Sequence, residues 1–231
     1  MVIRALISAV LWILSVLCFV CLGTLYLLLA VVISPRVLHP VARVACRCML
    51  LAAGQRLRLI GVFPPTEQGP YIYVFNHTSL LDTLVVVALV PEFAGAIGKK
   101  EQFDVPIWGW ILRRWGAVPI DRAQLSGAIE SLNLAGDSLK EGLSLLIAPE
   151  GTRSPDGTLG PFKKGPFHIA VQQDVQILPL AITGAYQAKH KGSWLLTPGR
   201  IDVEVLPALS PTKETAHTVE SLRDATRQRL A

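Results

Sequence analysis

A long uncharged segment near the amino terminus most constrains what this chain can fold into. Residues 5–33 form a run of 29 positions without a charged side chain, bounded by Arg4 and Arg36. A helix needs about 20 apolar residues to cross a bilayer. A secretory signal peptide would have a shorter apolar region, of about 7–15 residues, before a small-residue cleavage site. The run therefore predicts a membrane-embedded helical segment, either a straight span or a helix that bends at Gly23 and Thr24 and stays in one leaflet.

The positive charge of the chain is concentrated beside this segment. The formal net charge is +5, yet residues 1–60 contain six arginines and no Asp or Glu, whereas the remaining 171 residues carry 16 basic and 17 acidic side chains. A basic residue near anionic headgroups gains about 1 kcal/mol. The pattern indicates membrane lipids, and not nucleic acid, as the partner. Five of the six arginines follow the apolar run, which predicts that the body of the protein lies on the cytoplasmic face.

Residues 40–53 predict a second membrane-associated element. Pro40 is tolerated in a first helical turn, and apolar side chains then recur at helical spacing while Arg43 and Arg47 share another face. This pattern is typical of a basic helix lying in the membrane interface. We therefore expect residues 1–53 to form an N-terminal membrane-anchoring helical segment and residues 54–231 to form one further domain.

The cysteines are confined to the same region. All four lie within the first 48 residues, at Cys18, Cys21, Cys46 and Cys48. A disulfide framework would be expected to reach across the core, and no His or Cys group with zinc-ligand spacing faces them. We interpret them as small buried hydrophobic residues.

From about residue 56 the sequence alternates β-branched runs with helical stretches. Strands are predicted at residues 57–62, 71–75, 94–97, 117–120, 143–148, 176–182 and 201–206. Helices are predicted at residues 79–90, 106–115, 124–141, 164–173 and 214–230. This alternation predicts an α/β fold with a mostly parallel or mixed sheet flanked by helices. Ligands bind such sheets at the carboxyl ends of the strands, so the loops that follow the strands carry the candidate site.

The loop after the second predicted strand carries a histidine and an aspartate. His77 lies just beyond the strand and Asp82 in the first turn of the next helix. A carboxylate on one imidazole nitrogen would fix the tautomer and leave the other nitrogen as a general base. Ser79 and Asp82 also match a capping box, in which Asp82 would only stabilise the helix start. Both roles are compatible with the sequence.

Three further loops carry polar or unusual residues. Arg122 follows a short strand and would either bind an anion or form a surface ion pair. Residues 149–154 read Pro-Glu-Gly-Thr-Arg-Ser after a buried strand, and residues 162–165 read Phe-Lys-Lys-Gly. Such a loop suits a phosphate, although it is also rich in turn-forming residues. Pro179 within an apolar strand indicates a sheet edge or a bulge.

These loops, in this order, resemble the four blocks of the 1-acylglycerol-3-phosphate acyltransferase family of glycerolipid acyltransferases. The blocks are an H-x-x-x-x-D box at residues 76–82, a G-x-x-x-x-D-R-like block at 116–122, an E-G-T-R-S block at 149–154 and a short apolar block with proline at 177–180. Any single block is weak evidence, but four in order behind a membrane segment are specific. The resemblance covers about residues 55–210.

The resemblance implies transfer of a fatty acyl group from acyl-CoA or acyl-carrier protein to the free hydroxyl of a lysophospholipid. The expected acceptor is 1-acyl-glycerol-3-phosphate and the product phosphatidic acid. It implies His77 as general base, Asp82 as its orienting partner and a backbone amide near Gly151 as oxyanion donor. No metal and no cofactor are expected. The substrate-binding residues would be Lys99, Arg122, Glu150, Gly151, Thr152, Arg153 and Ser154.

The residues agree with a mechanism without a covalent acyl-enzyme. The body has no cysteine, and no serine lies in a G-x-S-x-G elbow. Two alternatives stay open: a member of the same family with another lysolipid acceptor, and a membrane-anchored lipid-binding protein without activity. An active site that collects lipid from the cytoplasmic leaflet slightly favours the one-leaflet arrangement of residues 5–33. A cluster of Phe103, Trp108, Trp110 and Trp115 beside basic residues is expected at the membrane interface or in the core.

Overall fold

The computed structural model describes residues 2–120, 125–211 and 218–231. The chain begins with two long helices and continues as alternating strands and helices. The helices are α1 (Val2–Val32), α2 (Pro35–Ala52), α3 (Asp82–Leu89), α4 (Trp108–Arg114), α5 (Leu125–Lys140), α6 (Gly165–Gln173), α7 (Ala185–Ala188) and α8 (Val219–Leu230). The strands are β1 (Gln55–Ile60), β2 (Ile72–Phe75), β3 (Ala94–Lys99), β4 (Val118–Ile120), β5 (Ser144–Ile147), β6 (Ile177–Thr183) and β7 (Gly199–Val205).

The strands form one mixed sheet in the order β1-β7-β6-β2-β5-β3-β4. Five neighbouring strands, from β6 to β4, run parallel, while β7 pairs with β6 in antiparallel register and with β1 in parallel register. The predicted α/β fold with a mixed sheet is therefore confirmed. Each predicted strand is present with its ends within two residues of the prediction.

The sheet is covered on both faces because its central strands are apolar on both sides. In β2 and the residue before it, Tyr71, Tyr73 and Phe75 pack in one core cluster, which includes residues of α2 and α3. Ile72 and Val74 point to the opposite face and pack in a second cluster with residues of α5, α6 and α8. Because successive side chains of a strand point to opposite faces of the sheet, β2 contributes to both core clusters. A fully buried Leu or Ile contributes about 1.5–3 kcal/mol.

Pro179 lies at a bulge rather than at an edge of the sheet. The β6–β7 ladder ends at the pair Leu180–Val205, and the next bridge joins Ile177 to Leu209. Between these two pairs β6 advances by three residues and its partner by four, which is a β-bulge. The missing N–H of Pro179 falls within this irregularity, so no ladder hydrogen bond is lost there.

The two N-terminal helices differ from the predictions in their bounds. The first is continuous through Gly23 and Thr24, so of the two alternatives the straight helix is observed and the bend is absent. The second begins at Pro35, where Ser34 accepts a hydrogen bond from the Arg36 amide, and Pro40 therefore lies inside it rather than in its first turn. Among the described residues, α1 is the one helix that is long and apolar enough to cross a membrane, judged by length and composition.

The cysteine prediction was correct for one residue and wrong for two. All four cysteines are free; Cys46 is buried, Cys18 is half-buried, and Cys21 and Cys48 are exposed. Burial raises the pKa of the Cys46 thiol to about 12, which leaves it protonated and unreactive. Cys21 and Cys48 lie on the outer surfaces of helices whose exposed side chains are mainly apolar, so their environment is still that of a hydrophobic residue.

Candidate active site

Parallel strands bring the loops of the candidate site to one edge of the sheet. The strand that precedes His77 lies between β6 and β5, and β3 lies on the other side of β5. The carboxyl ends of these strands therefore place the His77 loop beside residues 148–154 and close to Lys99, the last residue of β3. His77 and residues 148–154, which are more than 70 residues apart in the chain, become neighbours for this reason.

His77 and Asp82 form the pair that the sequence predicts. The imidazole Nδ1 lies 2.9 Å from Asp82 Oδ2, and the aspartate is fully buried while the histidine side chain is 24% exposed. The same Oδ2 atom accepts hydrogen bonds from the amides of Thr78 and Ser79, each at 2.7 Å. Asp82 therefore closes the helix start and orients the imidazole at the same time. With Nδ1 directed at Asp82, Nε2 is the nitrogen that remains for a substrate.

Asn76 and Ser79 fix the loop to its surroundings, which the sequence did not indicate. The Asn76 side chain donates to the Ile182 carbonyl at 2.8 Å and accepts from the Ile182 amide at 2.7 Å. The buried Ser79 hydroxyl donates to the Lys189 carbonyl at 2.7 Å. The turn that carries His77 is thus bonded on both sides to the segment that begins with β6.

Glu150 holds backbone groups of the site in place. Its Oε1 accepts from the His77 amide at 2.7 Å, and its Oε2 accepts from the Gly160 amide at 2.9 Å. The residue is buried. Because both carboxylate oxygens are engaged in these bonds, the geometry differs from the expectation that Glu150 contacts the substrate. A charged acceptor makes such bonds stronger than neutral ones.

In the rest of the 149–154 loop, some polar groups close turns and others face the site. The Gly151 amide donates to the Ala148 carbonyl at 3.1 Å, so the oxyanion role expected near Gly151 meets an amide that already closes a turn. The Ser154 hydroxyl donates to Asp156 at 3.0 Å and accepts from the Gly157 amide, again within a turn. Thr152 and Arg153 line a large cavity that also includes His77.

A cavity of about 1480 Å³ opens beside His77. This volume exceeds the roughly 300–1,000 Å³ that is typical of small-molecule pockets. Apolar side chains of α1, α2, α3 and α4 form much of its wall. The described lining residues include four cations, namely Lys99, Arg153, Lys163 and Lys191, and neither Asp nor Glu. The cavity therefore suits a ligand that combines long apolar chains with anionic groups.

The predicted cationic residues occupy different situations. Lys99 and Arg153 both line the cavity, whereas Arg122 lies outside the described residues. A further cation that the sequence did not single out, Lys189, is buried next to Arg153. Burial and the nearby Arg153 charge lower the pKa of Lys189. Its ammonium donates to the carbonyls of His190 and Ser193, so it stabilises the segment that Ser79 contacts.

The aromatic cluster is split between interior and surface. Phe103 is buried, and the Trp115 indole donates to the Ala94 carbonyl at 3.0 Å. Trp108 and Trp110 are about 40% exposed, which agrees with an interfacial position for these two only.

Among residues 2–120, 125–211 and 218–231, no three His, Cys, Asp or Glu side chains gather in a way that could hold a metal ion.

Comparisons with known proteins agree with this geometry. A 1-acyl-sn-glycerol-3-phosphate acyltransferase of Cocos nucifera is 42% identical over 134 residues, which is 58% of this chain and 44% of that protein. The alpha form from Mus musculus is 35% identical over 193 residues, covering 80% of this chain and 67% of the mouse protein. The chain thus spans less than half of the plant relative's length and about two thirds of the mouse relative's length.

A solved structure has the same fold over almost the whole chain. The crystal structure of the 1-acyl-sn-glycerophosphate (LPA) acyltransferase PlsC from Thermotoga maritima superposes with a TM-score of 0.80 at 25% sequence identity, covering 99% of this chain and 93% of that one. The family model for acyltransferases matches residues 54–183, which include the His77–Asp82 pair and the 149–154 loop. On these grounds the chain belongs to the acyltransferase family.

Proposed function

We propose that the protein transfers a fatty acyl group from a thioester donor to the free hydroxyl of 1-acyl-glycerol-3-phosphate, which yields phosphatidic acid. The observation that carries the proposal is the His77–Asp82 pair at the wall of a large apolar cavity whose described charged lining residues are all cationic. A general base, space for acyl chains and a site for phosphate are what this reaction requires. The similarity to lysophosphatidic acid acyltransferases supports the same acceptor.

His77 acts as general base in the proposed mechanism. Its Nε2 removes the proton from the acceptor hydroxyl as the hydroxyl oxygen attacks the thioester carbonyl carbon. Asp82 keeps Nδ1 protonated and stabilises the imidazolium that forms. When the tetrahedral intermediate collapses, the C–S bond breaks and the leaving thiolate takes the proton from His77. The acyl group passes directly to the acceptor, without an acyl-enzyme.

The acceptor phosphate binds to cations of the cavity in this proposal. Arg153 and Lys99 line the cavity near the strand ends, and Arg122 lies two residues after the last residue of β4 in the sequence. A charge-assisted hydrogen bond contributes about 1.5–3 kcal/mol. Thr152 adds a hydroxyl on the same wall. The donor is the thioester of coenzyme A or of acyl-carrier protein, and both present the same acyl thioester to His77.

We further propose that residues 1–53 anchor the protein in a single, cytoplasmic leaflet, while residues 54–231 form the acyltransferase domain. Near one end of α1, the Ser8 hydroxyl donates to the Leu196 carbonyl at 3.0 Å; near the other, Arg114 donates to the Ala30 carbonyl at 2.5 Å. At 1.5 Å per residue, Ser8 and Ala30 are about 33 Å apart. This is close to the hydrocarbon thickness of about 30 Å.

A helix bonded to the same domain at both ends supports the one-leaflet arrangement, because a crossing would carry part of the folded domain through the membrane. The outer surfaces of α1 and α2 expose many large apolar side chains between Val2 and Leu51. Arg36 and Arg47 are exposed beside them and suit anionic headgroups. The apolar cavity, whose wall includes α1 and α2, then receives lipid from the leaflet.

The test is an acyl-transfer assay of the purified protein with a panel of lysolipids and with both thioester donors. We expect 1-acyl-glycerol-3-phosphate to have the highest kcat/KM, and we expect His77→Ala to lower the rate by about 10²–10⁴-fold. His190→Ala is the matched control, because His190 is not among the described residues that line the cavity and its ring Nδ1 lies 3.1 Å from the neighbouring Lys191 carbonyl.

Three results would contradict the proposal. A higher kcat/KM for any other lysolipid would remove the assigned acceptor. At least half of normal activity in His77→Ala would remove the mechanism. An absence of transfer with every pair of substrates, in a protein that still binds lysolipid, would favour a lipid-binding protein instead.

A further inference from the structure

The proposed reaction develops a negative charge, and the Gly151 amide that was expected to stabilise it already closes a turn. Attack on the thioester carbonyl converts its oxygen into an oxyanion, and a positioned donor usually contributes a large part of the rate enhancement. The Gly151 amide points at the Ala148 carbonyl, 3.1 Å away. A positive group beside this turn would therefore supply the missing stabilisation.

Lys163 is held against this turn by its backbone and by its side chain. Its amide donates to the Pro149 carbonyl at 2.9 Å. Its aliphatic stem covers the Cα of Gly151: a Cβ built there would lie 3.1 Å from Lys163 Cε and 3.8 Å from its Nζ. Gly151 also has a φ of +72°, a conformation that favours glycine. The absent side chain of Gly151 thus leaves the space in which the Lys163 side chain lies.

The neighbours of Lys163 determine that its side chain, and not that of the next lysine, reaches the cavity. Phe162 is buried and stacks on Phe167, with ring centroids 6.2 Å apart. Lys164 points away and pairs with Glu220 at 2.5 Å. Of the two consecutive lysines, Lys163 alone lines the cavity with His77.

The charged side chains around the cavity leave the Lys163 ammonium available to bind an anion. The described lining residues include no carboxylate. Glu150, the acid nearest in sequence to Gly151, has both oxygens bonded to backbone amides. An ammonium beside the scissile carbonyl, in a cavity filled with lipid chains, acts in a medium of low dielectric where its effect is large.

We propose that Lys163 is a further catalytic residue whose ammonium stabilises the oxyanion of the tetrahedral intermediate. This inference rests on the proposed acyl transfer. The acceptor oxygen bonds to the carbonyl carbon while its proton moves to His77, and the electron pair of the C=O π bond becomes the oxyanion that Lys163 contacts. The pair then re-forms the C=O bond as the thiolate leaves with the proton from His77. Lys163 keeps its own protons throughout.

The experiment compares Lys163→Ala with Lys164→Ala in steady-state assays in which each substrate is varied in turn. Removing one oxyanion donor typically costs about 10²–10³-fold in kcat; because Lys163 is exposed in the free protein, we expect about 10²-fold. KM for both substrates should change less than about threefold, since the contact forms only in the transition state. Lys163→Arg should recover part of the rate. Lys164→Ala should keep normal kcat and KM.

Other outcomes overturn the inference in distinguishable ways. A raised KM for the acceptor with unchanged kcat, the result expected for Arg153→Ala, would place Lys163 on the acceptor phosphate. A raised KM for the donor alone would indicate that Lys163 binds the coenzyme A or carrier-protein part of the donor. If the wild type is active and Lys163→Ala has the same kcat and KM values, this inference is wrong and the proposed function stands. A wild type inactive with every substrate pair would remove both. Thermal unfolding of each variant verifies that the fold is retained.

Discussion

At the scale of single residues, the site depends on side chains that hold the backbone as much as on those that face the cavity. Glu150 is the clearest example, because one carboxylate accepts from the amides of His77 and Gly160. Glu150→Gln keeps one acceptor oxygen but turns an NH₂ group towards the other amide. We expect the free energy of unfolding to fall by about 1–3 kcal/mol and kcat to fall with it, as His77 loses its fixed position.

Thermal unfolding in detergent and steady-state kinetics check the Glu150 prediction. Glu141→Gln, at an exposed position in the turn that precedes β5, is the control. A Glu150→Gln protein of normal stability with a raised KM for the acceptor would show that Glu150 contacts substrate, as the sequence had suggested.

At the scale of elements, the docking of α1 depends on one buried serine. Ser8 is 1% exposed, and its hydroxyl both donates to the Leu196 carbonyl and accepts from the Leu196 amide at 3.1 Å. Ser8→Ala leaves these two backbone groups without their partner, and we expect a loss of about 1–3 kcal/mol in the stability of the docked helix. Thermal unfolding in detergent micelles measures it.

The same helix offers a matched control for Ser8. The Ser15 hydroxyl is buried and has no hydrogen-bond partner within the described part of the chain. Ser15→Ala should therefore be neutral or slightly stabilising, because it removes an unsatisfied polar group. Equal losses in the two variants would indicate that the serines matter only through helix packing, and would weaken the case for docking through Leu196.

At the scale of the whole molecule, the arrangement of α1 along the domain determines where the amino terminus lies. In the one-leaflet arrangement, tags at the amino and carboxyl termini are on the same side of the membrane. We expect protease added to the cytoplasmic side of sealed vesicles to remove both tags at similar rates. Vesicles opened with detergent provide the control for tag accessibility. Protection of the amino-terminal tag alone would show that α1 crosses the bilayer.

Much of the fold and the centre of the site followed from the sequence because their signals are local. The apolar runs of β2 and β5, the helical periodicity of α2 and the long apolar run of α1 each occupy one continuous stretch. His77 and Asp82 are five residues apart, so a single strand-to-helix turn joins them. Sheet order and the mixed strand directions did not follow, because pairing joins strands that are distant in sequence.

Tertiary structure alone decided how the remaining polar groups are used. Asn76 bonds to Ile182 across 106 residues, His77 to Glu150 across 73, and Ser8 to Leu196 across 188. Such contacts leave no periodic pattern, since each depends on which strand ends lie side by side. The sequence by itself determined membership of the acyltransferase family, an α/β fold, a histidine–aspartate pair and a long apolar run near the amino terminus. The turn closed by Gly151, the position of Lys163 upon it and the docking of α1 were decided only when the sheet brought distant loops together.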